Sequence, residues 1–219
     1  MATTPRAASA PARLSGLYAV TPEIDDTAVL TQGVADAIAG GASAVQYRHK
    51  TAAPDLRRAQ VQALLAVCRR SGVPLIVNDD LALALELDAD GVHLGRDDGD
   101  AATARRLLGP RRLLGISCYN DLDRAAVAHA AGADYLAFGA VYPSRIKPGA
   151  VHAPLALFAT ARARFGRPLV AIGGITADNA RNVIDAGADA LAVVSAIFDT
   201  PDVRAAAARL AGLFAKSPA

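Results

Sequence analysis

Residues Leu75–Asp98, LIVNDDLALALELDADGVHLGRDD, decide how the chain folds. The short apolar run Leu75–Val77 breaks at Asn78-Asp79-Asp80, a helical segment follows, and a second apolar run, Gly91–Leu94, breaks into Gly95-Arg96-Asp97-Asp98. This is strand, helix, strand. Two successive parallel strands that both end in carboxylates present them on one rim of a sheet, and in a β/α barrel that rim carries the ligand site. Oxygen ligands from two such strands suit a hard cation and phosphate chemistry. A second reading stands beside this one. Asp79 or Asp80, and Asp97 or Asp98, are also the residues that cap the next helix.

Working outward, the same unit recurs along the chain. Apolar runs stand at Leu17–Val20, Ala44–Tyr47, Leu75–Val77, Gly91–Leu94, Leu114–Ile116, Tyr135–Phe138, Leu169–Ile172 and Ala190–Val194. Continuous short runs of this kind are strands covered on both faces. Between them lie Ala/Leu-rich segments with helical spacing, such as Leu56, Ala59, Val61, Leu64, Leu65 and Val67. Gly-Ala-Ser at 41–43, Ser-Gly-Val-Pro at 71–74 and Ala-Gly-Ala-Asp at 131–134 and 186–189 sit just before strands, where Gly stops a helix and Asp or Pro starts the turn. Eight alternating units predict a closed (β/α)8 TIM barrel over residues 15–215, with a doubly wound open sheet as the alternative.

Bulk properties agree with one domain. The chain has 219 residues, 53% of them hydrophobic, and a net charge of +2, which calls for no nucleic-acid partner. No apolar run is long enough to span a membrane. Cys68 and Cys118 show neither disulfide-framework nor metal-ligand spacing, which favours a cytoplasmic location. Met1–Leu14 is rich in Ala, Pro and Thr, lacks the apolar centre of a signal peptide, and reads as a disordered tail.

Four constellations carry chemistry. The first is Asp79 with Asp98, one strand–helix–strand step apart. The second is Val45-Gln46-Tyr47-Arg48-His49-Lys50 at the end of the second strand, where alternation sets Gln46, Arg48 and Lys50 on one side and Tyr47 and His49 on the other. Gln46 can donate to and accept from a heterocycle, Arg48 offers a planar fork for phosphate, and Lys50 offers a point charge. By spacing alone, Arg48 and Lys50 pair equally well with the two acids. The third is the loop Tyr142-Pro143-Ser144-Arg145-Ile146-Lys147-Pro148-Gly149 after the sixth strand, which reads either as a ligand-covering loop or as a basic surface loop. The fourth is a pair of phosphate cradles after strands seven and eight, around Gly173-Gly174 and Val194-Ser195. His93 reads as a satisfied core histidine, His129 as a surface residue and Cys118 as packing.

Taken in order, these pieces resemble the thiamine phosphate synthase family from Leu17 to about Leu213. The matching segments are Leu17-Tyr18-Ala19-Val20-Thr21, Gln46-x-Arg48-x-Lys50, Asn78-Asp79, Gly91–Asp98, Gly115-Ile116-Ser117, Tyr142-Pro143-Ser144 through Lys147, Ile172–Ile175 and Val194–Ile197. The resemblance implies a transferase that joins an aminopyrimidine methyl diphosphate to a thiazole ethyl phosphate, or its carboxylated form, with release of diphosphate. It implies Mg²⁺ on Asp79 and Asp98. It implies that Gln46, Arg48, Lys50, Asn78, Ser117 and Lys147 hold the pyrimidine diphosphate, with Arg48, Lys50, Lys147 and Ser117 acting in the reaction. Ser144, Arg145, Ile146, Gly174, Val194 and Ser195 would hold the thiazole and its phosphate.

The departures from the family pattern are local. Ser144-Arg145-Ile146-Lys147 replaces Thr-x-Thr-Lys, so Ile146 lacks a hydroxyl. His49 replaces an acid, Arg96 a Gln, and Pro22 an Asp. The rival readings are a thiazole tautomerase, which would want a histidine where this chain has Ser117-Cys118-Tyr119-Asn120, and a non-catalytic phosphate-ligand barrel. A phosphosugar isomerase or epimerase is an alternative at the level of the fold.

Overall fold

The structure, a computed structural model, describes residues 14–143 and 151–215. Eight parallel strands close in sequence order into a barrel. They are β1 Gly16–Val20, β2 Ala42–Tyr47, β3 Leu75–Asn78, β4 Gly91–Leu94, β5 Leu113–Tyr119, β6 Tyr135–Gly139, β7 Leu169–Ile172 and β8 Ala190–Val193. The helices between and after them are α1 Thr27–Ala39, α2 Pro54–Ser71, α3 Leu81–Glu86, α4 Ala101–Leu108, α5 Leu122–Ala130, α6 Ala156–Phe165, α7 Ala180–Asp185, α8 Ser195–Phe198 and α9 Val203–Gly212. The expected (β/α)8 barrel is therefore present, and the open sheet is excluded by the pairing of β1 with β8.

Alternation along each strand divides the buried residues into two sets. Leu17, Ala19, Val45, Tyr47, Leu75 and Val77 face outward and pack under the helices with Leu30, Val61 and Leu64. Tyr18, Val20, Ala44, Ile76, Tyr135, Val170 and Ala192 fill the barrel interior. Each fully buried Leu or Val contributes roughly 1.5–3 kcal/mol, so the helix-facing layer dominates the stability. Leu14, assigned from sequence to the tail, is buried in the interior set because an apolar side chain at the open end of a barrel finds cover there. Residues 1–13 of that tail lie outside the described residues.

Two helical expectations shift. Ala59 is exposed, and Gln60 takes its place on the inner face of α2. Its buried amide is satisfied by the Tyr47 hydroxyl and by the Ile24 and Asp25 carbonyls. His129 is half-buried rather than on the surface: its ring leans on Phe165, and its Nδ1 has no hydrogen-bond partner among the described residues.

The Asp of each Ala-Gly-Ala-Asp segment does more than start a turn. Asp134 accepts from the Leu114 N–H and pairs with Arg105, while Asp189 accepts from the Leu169 N–H and pairs with Arg162. Asp90 accepts from the Leu75 N–H in the same manner. These carboxylates tie neighbouring strands at the amino-terminal rim, the face that confers stability in this fold.

Candidate active site at the carboxyl-terminal rim

Asp79 follows β3 with a left-handed backbone (φ 63°). Asp98 lies in the loop after β4 and accepts from the Gly95 N–H at 2.9 Å. The Asp98 carboxyl, when protonated, donates to the Asp79 carboxylate, and the Lys50 ammonium lies 3.1 Å from Asp79. Helix capping falls to their neighbours: Asp80 caps α3 through the Leu83 N–H, and Asp100 caps α4 through the Thr103 N–H. Asp79 and Asp98 are thus left facing each other.

Two carboxylates in contact cannot both ionise freely. Burial works to raise the Asp79 carboxyl, but its hydrogen bond with Asp98 and the Lys50 charge outweigh that, and it falls below the ordinary range. Burial and the ionised Asp79 both push Asp98 up. A divalent cation between the two carboxylates would offset the repulsion that pushes Asp98 up. Among the described residues no cluster of three or more His, Cys, Asp or Glu side chains could enclose a metal. Two carboxylates with an open remainder are what Mg²⁺ accepts, because it keeps waters and substrate phosphate oxygens in its shell.

The second-strand triplet divides as alternation predicts. Tyr47 and His49 turn outward to Gln60. Gln46 points into the barrel, 2.9 Å from the Tyr18 hydroxyl. Arg48, equally able by spacing to pair with the rim acids, instead donates to Glu23 at 2.7 Å, and Glu23 also accepts from Thr51. Glu23 was not marked by the sequence; its signal is an acid one residue past Pro22, where the family pattern already departs. Asn78, Lys50 and Asp79 share a cavity of about 180 Å³ with Arg57 and Asp80.

Ser117, half-buried on β5, meets His93 Nε2 at 2.9 Å. The His93 Nδ1 lies 3.0 Å from the Tyr135 hydroxyl. His93 is the satisfied core histidine expected, and burial pushes its pKa down to about 4 despite the nearby Asp79. Cys118 is buried and its thiol is pushed up to about 12 by burial, so packing is its role. Arg124, also missed in the sequence, donates to the Ser117 and Gly95 carbonyls and so braces the ends of β5 and β4.

Gly174, Val194 and Ser195 lie across the barrel, after β7 and β8, with Ser195 exposed at the start of α8. Gly173 and Gly174 have φ of +103° and +64°, and a Cβ at either would strike Ala140, Tyr142 or Pro143. What these glycines admit is therefore the chain segment after β6, in addition to any ligand approach. Ser144, Arg145, Ile146 and Lys147 lie outside the described residues.

Fold and rim together define a (β/α)8-barrel enzyme. The family model described as thiamine monophosphate synthase matches residues 17–197. The chain belongs to that family, a family of transferases. It is 58% identical to the thiamine-phosphate synthase of Thiobacillus denitrificans, covering 93% of this chain and 96% of the relative. It is 56% identical to that of Aromatoleum aromaticum, covering 92% and 97%. The solved thiamine phosphate pyrophosphorylase of Pyrococcus furiosus superposes with a TM-score of 0.81 at 35% identity, covering 90% of this chain and 94% of that one. The tautomerase and the non-catalytic barrel are not favoured by these relatives.

Proposed function

We propose that this transferase joins an aminopyrimidine methyl diphosphate to a thiazole ethyl phosphate, or its carboxylated form, at the carboxyl-terminal rim, giving thiamine phosphate and diphosphate, with carbon dioxide also released when the thiazole is carboxylated. The observation that carries this reading is the contact of Asp79 with both Asp98 and Lys50. It gathers acids and a cation where a charged leaving group must be handled. Asp79 and Asp98 would hold Mg²⁺, which when bound supplies positive charge to the diphosphate oxygens.

In the reaction the bond between the pyrimidine methylene carbon and the diphosphate oxygen breaks, and its electron pair leaves with diphosphate. The pyrimidine amino group stabilises the resulting cation, and the thiazole nitrogen lone pair forms the new C–N bond. No strong base or covalent nucleophile is needed. Arg48, Lys50 and Lys147 bind the diphosphate and offset its growing charge. Gln46, Asn78 and Ser117 hold the pyrimidine. Ser144, Arg145 and Ile146, with Gly174, Val194 and Ser195, hold the thiazole and its phosphate. The buried interior below Gln46 and Ser117 keeps water from the cation. The enzyme works in the cytoplasm, where its two free, buried cysteines stay reduced.

The test is to incubate the purified protein with both substrates, in Mg²⁺ and in chelator, and to quantify thiamine phosphate and diphosphate. Equal amounts of both products, formed only with the metal, are expected. Correctly folded protein that makes neither product in Mg²⁺ overturns the reading.

A further inference from the structure

Three aromatic side chains cross the barrel interior below the rim and belong to none of the groups assigned above. The Gln46 Nε2 lies 2.9 Å from the Tyr18 hydroxyl, and that hydroxyl lies 2.9 Å from the Tyr135 hydroxyl. The Tyr135 hydroxyl is 3.0 Å from His93 Nδ1, and His93 Nε2 is 2.9 Å from the Ser117 Oγ. The chain is continuous, and Tyr18 and Tyr135 are fully buried. Gly115, opposite Tyr135 in the β5–β6 register, makes room for it: a Cβ there would sit 1.9 Å from the Tyr135 ring. The His93 ring stacks on Tyr135, with centroids 5.6 Å apart. Sequence and packing both give way to bring this hydroxyl to the imidazole.

We propose that Tyr18, Tyr135 and His93 form a polarised hydrogen-bond relay that positions Gln46 and Ser117 and fixes which of the two donates and which accepts toward the pyrimidine. The proposal rests on the assignment of Gln46 and Ser117 to that substrate. Its logic is proton counting. An amide nitrogen only donates, so Tyr18 accepts from Gln46 and spends its one hydrogen on Tyr135. Tyr135 then donates to Nδ1 of a neutral imidazole, whose proton is on Nε2 and points at Ser117. The Ser117 oxygen is occupied as acceptor, and its own hydrogen is left to donate to the ligand. At the other end the Gln46 amide is held with Oε1 free to accept from an amino group. The two ends of the relay are therefore complementary by construction: one presents an acceptor because the other presents a donor. Tyr18, Tyr135 and His93 are positioning residues in this scheme and touch no reacting atom.

The experiment compares Tyr18→Phe, Tyr135→Phe and the double variant with Gln46→Ala and Ser117→Ala, measuring KM for each substrate, kcat and Tm. Each Tyr→Phe change should raise KM for the pyrimidine diphosphate about tenfold, with KM for the thiazole phosphate unchanged and Tm lowered modestly because buried partners lose a hydrogen bond. The double variant should cost no more than the worse single one, because a broken relay cannot be broken twice. If Gln46→Ala and Ser117→Ala raise the pyrimidine KM while both Tyr→Phe variants match wild type, the relay is wrong and the site assignment stands. If Gln46→Ala and Ser117→Ala are themselves silent, the assignment falls and the relay with it. As a direct readout, ¹⁵N NMR of labelled histidine should find His93 protonated on Nε2 in the wild type. Protonation on Nδ1 would overturn the proposed polarity.

Discussion

The two rims of the barrel use the same side chain in opposite ways. At the amino-terminal rim, Asp134 and Asp189 each accept a backbone N–H from the neighbouring strand and pair with an arginine. Their demand for hydrogen bonds is met inside the fold, so they tie strands together and leave nothing for a ligand. At the carboxyl-terminal rim, Asp79 and Asp98 face each other, and the pair is offset by the half-exposed Lys50. That arrangement is electrostatically poor as a structural joint, because like charges in contact oppose folding unless a proton or cation joins them. An acid kept in such company serves something other than stability, whereas an acid surrounded by donors serves the fold.

The comparison is most exposed at the upper rim. Asp79→Ala and Asp98→Ala should each lower turnover with Mg²⁺ by about 100-fold or more, on the scale seen when a group stabilising transition-state charge is removed, while relief of the carboxylate repulsion offsets the lost Lys50 and Gly95 N–H contacts and keeps the fall in Tm small. Steady-state kinetics beside thermal melts would check this, and near-normal rates in both variants would reduce these acids to structural roles. At the lower rim the pattern should invert. Asp134→Ala or Asp189→Ala should cost about 1–3 kcal/mol of stability, read by urea denaturation, with kcat unchanged at a temperature where the variant is folded. The smallest effect should come from Asp100, two residues from Asp98 and a helix cap. Asp100→Ala should lose about 1 kcal/mol and leave the metal dependence of turnover untouched. A large rate loss there would mean that cap and ligand roles are not separable along this loop.

Much of this was legible in the sequence. Eight apolar runs predicted eight strands, and the runs at Gly91–Leu94 and Leu169–Ile172 agree with the structure at both ends. The side-switching of Gln46 and Tyr47 also followed from strand alternation. Other features were not legible. Asp79, Asp80, Asp97, Asp98 and Asp100 are alike as letters, and only two of them cap helices. Arg48 could have paired with either rim acid, yet Glu23, brought over from the loop after β1, holds it. Tyr18, Gly115 and Tyr135 read as ordinary strand residues until the closed barrel set them together.

The division has a physical cause. Strand and helix periodicity is local, since it depends on which faces of a segment must be apolar, and the order of such segments along one chain was enough to define the barrel and its ligand-bearing rim. Which acid caps, which acid waits for a cation, and which polar side chains join hands across the interior depend on distances between residues far apart in the chain. Those distances exist only once β1 pairs with β8 and the ring is closed.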